Sequence, residues 1–321
     1  MLAVCATELN RDDPLRGLSI DERPEPEIPE GWTTVTVRAA SLNHHDLWSL
    51  RGVGLGQDRL PMTLGCDAAG ADEDGNEVIV HSVIASPEWQ GDETFDPRRS
   101  LLSERYQGTF APRVAVPRRN LVPKPPELSF AEAACLPTAW LTAYRMLFTR
   151  GRVVPGMTTL VQGAGGGVAT ALTVLASNAG IRVWVTSRSE RKRDQAKAFG
   201  AEQVFEPGAR LPERVDAVME TTGAATWEHS IRSLKPGGTL VVSGATTGDA
   251  PPAQLTRVFF LQLSVVGSTM GTRDELERLA RLCVDKGIRP AIDRVMTLNE
   301  ARRGFEAMLN GDVVGKIVFT P

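Results

Sequence analysis

Cysteine is scarce in this 321-residue chain. The four present, Cys5, Cys66, Cys135 and Cys283, are scattered with no CxxC pair. No disulfide framework is expected, and the pattern fits reduced thiols in a cytoplasmic protein. An excess of basic charge is also missing. The formal net charge is -3, which leaves no positive field for nucleic acid and points to a small-molecule partner. No segment reaches the apolar length that spans a bilayer, and MLAVCATELNRDDP lacks a basic start followed by an apolar run and a cleavage site. Internal repeats and low-complexity tracts are absent too. What is present is ordinary globular composition at a length that favours two domains, each with apolar residues enough for a core.

From Val35 to Val122 short β-branched runs (TVTVRAA, EVIVHSVI, RVAVP) are broken by Pro, Gly and Asp, the pattern of a β-barrel with irregular connections. Within it, Ser86 to Tyr106 is polar and without period, and reads as an excursion loop. The character changes after LVPKPPEL. SFAEAACLPTAWLTAYRMLF has helical spacing and a Ser start with Glu132 three residues on, a capping-box arrangement. Strand-like and helix-like segments then alternate, which means a parallel sheet covered by helices on both faces. The expected organisation is α/β: a barrel domain from residues 1–124 and 273–321, and a Rossmann-type doubly wound domain from residues 125–272.

The strand TLVQG runs into AGGGVA and then a helix. Ala164, Gly165, Gly166, Gly167 and Val168 therefore stand where backbone N–H groups meet a pyrophosphate at a helix N-terminus. The best register, Ala164-x-Gly166-x-x-Ala169, departs from G-x-G-x-x-G at both ends; Ala in the third slot is allowed because that position needs only a small residue. At the end of the next strand, an NAD site would place an acid for the ribose hydroxyl, but Thr186, Ser187 and Arg188 stand there. A hydroxyl followed by a guanidinium suits a 2′-phosphate, so the expected cofactor is NADP(H). Lys192 adds charge one helical turn further, with a solvated helix face as its alternative. Turns at later strand ends, Thr222-Gly223, Ser243-Gly244-Ala245 and Ser268-Thr269-Met270, are the remaining candidate contacts.

SLNHHDLWSLRG, LPMTLGCDAAG, LPTAWLTAYRML, VQGAGGGVA, LKPGGTLVVSGA and GDVVGKIVF, in this order across nearly the whole chain, resemble the medium-chain dehydrogenase/reductase superfamily. The resemblance implies a GroES-like barrel as the catalytic domain. Zinc members carry Cys-His-x-Asp, Gly-His-Glu and a third ligand before the LTAY-like turn; here stand Asn43-His44-His45-Asp46, Gly65-Cys66-Asp67 and Thr138. Only Cys66 offers a soft donor in place, so no catalytic zinc is expected, the alternative being a site rebuilt from His44 or His45 with Cys66 and Asp67. The excursion loop also lacks the four cysteines of the structural zinc lobe. The chain thus resembles the zinc-free, quinone-oxidoreductase-like branch, whose members reduce quinones, enones or related activated double bonds with NADPH.

By motif position Asn43 would lie beside nicotinamide and substrate, with Asp46, Trp48 and Arg51 on the same segment. Related enoyl reductases use a Tyr soon afterwards as acid; Val53 and Leu55 cannot serve. His45 is the first candidate donor, against a structural role for a loop histidine. Lys316 in GDVVGKIVF would lie near the cofactor, or else be a snorkelling surface lysine. The apolar RVFFLQ edge before Leu263 matches one that members of the superfamily use for dimerisation, so the resemblance implies a homodimer. Two further readings stay open: an alcohol dehydrogenase with a rebuilt metal site, and an NADPH-binding sensor without turnover.

Overall fold

The computed structural model describes residues 1–321, which divide into two compact units: residues 1–141 with 270–321, and residues 142–269. The first unit contains β1 (Leu2–Ala6), β2 (Leu18–Glu22), β3 (Trp32–Ser41), β4 (Met62–Thr63), β5 (Asp67–Ala71), β6 (Glu77–Val80), β7 (Val83–Ile84), β8 (Ser100–Leu101), β9 (Arg113–Pro117) and β10 (Leu121–Pro123). The second contains β11 (Thr158–Val161), β12 (Arg182–Thr186), β13 (Gln203–Phe205), β14 (Val215–Glu220), β15 (Leu234–Val242) and β16 (Ser264–Gly267); β17 (Ile292–Thr297) and β18 (Lys316–Thr320) return to the first.

The junctions differ from those expected. The helix Phe130–Ala134, with its Ser129–Glu132 capping box, packs on β3 and β5 and so belongs to the barrel unit rather than to the domain that follows it. Pro137, which has no N–H to donate, lies in a π-helical stretch, Leu136–Trp140, and the helical run continues in pieces to Arg150.

In the first unit the larger sheet has seven strands, in the order β10-β6-β5-β3-β18-β17 with β9 also paired to β3. Along β3, burial alternates over the first residues and becomes continuous at Ala39–Ser41, where the strand enters the core. Phe110, Phe305 and Phe319 meet there, with edge-on packing of Phe110 against both others. Register sets Ser41 opposite Asp67 and Val318 opposite Ser41. The end of β3, the start of β5 and the start of β18 therefore share one end of three adjacent strands.

The second unit is a six-stranded parallel sheet, ordered β13-β12-β11-β14-β15-β16. Its β11 is buried throughout, as strands covered on both faces are. The segment LKPGG opens β15. No helix of the chain is long and apolar enough to cross a membrane.

Candidate active site

In the second unit the backbone turns at Gly163 and Gly165 (φ +88° each) and enters the helix Gly167–Asn178 through Gly166, whose N-cap position carries no side-chain cap. The first-turn N–H groups are thus left to other acceptors, and a β-carbon on Gly166 would meet nothing within 4 Å. Gly165 is required by its φ, and a β-carbon there would sit 2.8 Å from Cδ of Lys192. Lys192 therefore lies over the glycine turn and not on an open helix face. Thr186 Oγ1 accepts from Gly163 N–H (3.2 Å) and donates to Gln162 Oε1 (2.8 Å), tying the end of β12 to the turn. Ser187 is buried and its Oγ accepts from Ser189 N–H; Arg188 is exposed and its guanidinium makes no hydrogen bond or ion pair.

Behind the turns runs a polar network that sequence reasoning missed. Glu220, fully buried at the end of β14, accepts from Thr222 N–H (2.7 Å), Gly223 N–H (3.0 Å), Thr226 Oγ1 (2.9 Å) and Ser230 Oγ (2.6 Å). Gln162 donates to Ser230 Oγ and to His229 Nδ1, and His229 Nε2 donates to Ala209 O (2.9 Å). The acid inside the apolar run DAVMETTG was the available signal. Fully bonded, it fixes the Thr222-Gly223 turn. Ser243, Gly244 and Ala245 are half-buried at the end of β15, and Ser268 Oγ, past β16, is buried without a partner. The glycine turn, Ser187, Arg188, Thr222, Gly223, Ser243–Ala245, Ser268 and Thr269 all follow carboxyl ends of strands in one sheet. Met270, the next residue after Thr269, is the first residue assigned to the returning part of the first unit.

The first unit holds a denser site. Asp67 is fully buried. Its Oδ2 accepts from Ser41 Oγ (2.9 Å) and Asn43 Nδ2 (2.8 Å), and its Oδ1 accepts from Thr138 Oγ1 (2.6 Å). Lys316, 2% exposed, places Nζ 3.6 Å from Asp67 Oδ2 and donates to Leu42 O (2.8 Å) and Asn43 Oδ1 (2.5 Å). The snorkelling alternative for Lys316 needs correction: the side chain is buried and its ammonium is engaged with this cluster. Asn43 is likewise a strut, with Oδ1 taken by Lys316 and its two amide hydrogens by Ser41 O and Asp67.

Asp46 accepts from Asn43 N–H (2.9 Å) and Gly65 N–H (3.0 Å), closing the start of the helix His44–Leu50; burial pushes its pKa up to about 7. His44 is exposed. His45 is half-buried, with Nε2 3.5 Å from Ser49 Oγ and 4.0 Å from Glu104 Oε1. Burial lowers its pKa, while the Glu104 and Asp67 charges oppose that shift. On the same helix end, the Arg51 guanidinium lies 5.1 Å from the Trp48 ring centre, and its Nε is buried without a partner.

A family model described as an alcohol dehydrogenase GroES-like domain matches residues 29–126, and one described as a zinc-binding dehydrogenase matches residues 167–285. A crystal structure of an NAD-dependent alcohol dehydrogenase is 32% identical, with both chains covered in full and a TM-score of 0.90. The chain belongs to the medium-chain dehydrogenase/reductase superfamily.

This dehydrogenase/reductase is also similar to acryloyl-coenzyme A reductase of Metallosphaera sedula, at 27% identity over 329 residues, 95% of this chain and 97% of the relative. A cobalt- and zinc-bound thermostable alcohol dehydrogenase from Pyrobaculum aerophilum is 26% identical, covered at 100% and 99%, with a TM-score of 0.91. The residues of this chain do not fit zinc. No three His, Cys, Asp or Glu side chains converge. Burial, with Asp46 and Asp67 adding to it, raises the Cys66 pKa well above the ordinary thiol value, which disfavours the thiolate a metal needs. Thr138 and Asn43 are occupied by Asp67, and the carboxylate that remains already has an ammonium beside it.

Proposed function

We propose that this protein is an NADPH-dependent, zinc-independent oxidoreductase acting on a carbon–carbon double bond activated by a carbonyl: an α,β-unsaturated acyl thioester, an enone or a quinone. The observation that carries the reading is the Lys316–Asp67–Asn43 cluster, a resident cation at the positions where zinc members of the superfamily place their metal ligands. The acryloyl-coenzyme A reductase relative supports the double bond as the acceptor.

The second unit fits a dinucleotide phosphate. The uncapped helix at Gly167 and the turn beneath Lys192 suit the pyrophosphate. The unpaired Arg188, beside Ser187, suits a 2′-phosphate and favours NADPH over the NADH implied by the alcohol dehydrogenase likeness. When bound, that cofactor supplies hydride. The protein's own residues must hold the acceptor and steady the negative charge that develops on its carbonyl oxygen. His45 is the available proton source. The fixed ammonium of Lys316 offsets the Asp67 charge and keeps Asn43, and with it the start of the His44–Leu50 helix, in place.

The buried free thiols support a cytoplasmic setting. Leu255, Phe259, Phe260 and Val265 are exposed on or beside β16, the outer strand of its sheet, and support a homodimer. The test of the function is turnover by metal-stripped protein, with NADPH and NADH in parallel, on a panel of enoyl thioesters, enones, quinones and aldehydes. Reduction of activated double bonds that survives chelation is expected. Activity on alcohols or aldehydes that returns only with added zinc refutes it.

A further inference from the structure

The excursion loop does more than decorate the barrel. Its outward course is pinned by Asp96, which accepts from Ser86 N–H and Oγ (2.6 Å each), and by Arg119, which donates to the Ser86 and Pro87 carbonyls. Its return leg passes His45: Leu102, buried, bonds Ser82 O through its N–H, and its backbone also engages the His45 ring. Two residues on, Glu104 splits its carboxylate. Oε2 accepts from Leu101 N–H (3.0 Å), and Oε1 faces His45 Nε2 at 4.0 Å. The opposite wall is Gly54, at φ +80°, where a β-carbon would come within 2.6 Å of Glu104 Oε1. The chain thus leaves a side chain out where this carboxylate sits. Both partners keep a fraction of their surface open, 16% for His45 and 21% for Glu104.

We propose that Glu104 is the positioning residue of a proton-delivering pair, holding the His45 ring in orientation and favouring its protonated form. This rests on the double-bond reduction proposed above. In that reaction hydride adds to the carbon remote from the carbonyl, and the π electrons of the double bond move toward the carbonyl as an enolate. The neighbouring carbon then takes a proton from a His45 ring N–H, the N–H electron pair remaining on the nitrogen. The neutral ring regains a proton from water beside the Glu104 carboxylate, so each turnover consumes one hydride and one proton. The groups facing the ring are Glu104 and Leu102 from the excursion loop, Asp67 from β5 and Ser49 from its own helix. Of these, Glu104 is the charge that sits closest to the ring and reaches it from outside the buried cluster. Burial works against a charged ring; Glu104 works for it.

The experiment follows the His45 ring through a pH titration by NMR, in protein without cofactor, for the wild type, Glu104→Gln and Glu104→Asp, with His45→Asn assigning the signal. It is paired with kcat and KM across pH. Glu104→Gln is expected to lower the His45 midpoint by about one unit or more. The same variant should lower kcat by about 100-fold, in the range ascribed to acid–base catalysis, while KM changes less than about threefold. Glu104→Asp should recover part of both. An unchanged midpoint and kcat in Glu104→Gln overturns the proposal. So does a kcat loss without a midpoint shift, which would make Glu104 a structural residue. If the wild type reduces no enone, quinone or thioester, the reductase reading falls and the delivered proton with it; turnover with an indifferent Glu104 removes only the pair.

Discussion

Replacing Lys316 by Met keeps most of the side-chain volume and removes the ammonium. At 3.6 Å from Asp67 Oδ2, and with an effective dielectric of about 20, the lost attraction is about 4.6 kcal/mol. Asn43 Oδ1 and Leu42 O also lose their donor, at a cost that overlaps with the first. Breaking one half of a buried pair typically costs about 3–5 kcal/mol, and a loss in that range is expected for Lys316→Met. Asp67→Asn should cost a similar amount, since it strands the lysine. The double variant is expected to lose at least about 2 kcal/mol less than the sum, because it no longer buries a lone charge. Urea unfolding at neutral pH, followed by circular dichroism for the four proteins, measures the coupling. A Lys316→Met loss under about 1 kcal/mol, or strictly additive losses, would refute the resident-cation account.

Other outcomes follow from the same geometry. Arg188→Ala should weaken NADPH by roughly 10–100-fold and NADH little, and equal losses by fluorescence titration would sink the 2′-phosphate assignment. Phe260, 75% exposed, predicts that Phe260→Glu sediments as a monomer where the wild type is a dimer; a monomeric wild type removes the dimer proposal. His81 is buried with Nε2 donating to Gly271 O (2.9 Å), and burial pushes its pKa down to about 4, against about 6.5 for an unfolded histidine. The unfolded chain therefore binds the proton first, and stability present above pH 6.5 is lost as pH falls toward 4. Between pH 7.5 and 5 the wild type should lose about 2 kcal/mol more than His81→Gln, and parallel pH profiles for the two would show that His81 does not report burial.

Much of the fold was legible because its signals are local. The change from a two-residue to a helical period near residue 129, the Ser129–Glu132 box and the strand–glycine–helix run at 158–167 each depend on a few neighbouring residues, and the structure shows each of them. The boundary near residue 125 was not legible, since whether a helix belongs to the unit before or after it is decided by what it packs on. Zinc-type spacing drew attention to Asn43, Cys66, Asp67 and Thr138, but not to what joins them. That the carboxylate at 67 gathers Ser41, Asn43, Thr138 and Lys316 is a product of strand register. Glu104 was hidden inside a segment without period, and its partner lies 59 residues back on another element. Local polarity marks such a residue as loop; only the path of the loop brings it to an imidazole.

The hydrogen bond between Lys316 and Asn43 spans 273 positions of the chain. During synthesis the barrel strands and the whole parallel-sheet unit emerge before the residue that completes the charge cluster. The second unit, being one continuous stretch, has all its contacts in hand early, whereas Asp67 must wait in an unfinished sheet with its ammonium still to be made. Closure of the barrel by β18 and neutralisation of its buried carboxylate are therefore a single late event, so a nascent barrel short of residue 316 carries an uncompensated charge that opposes early closure.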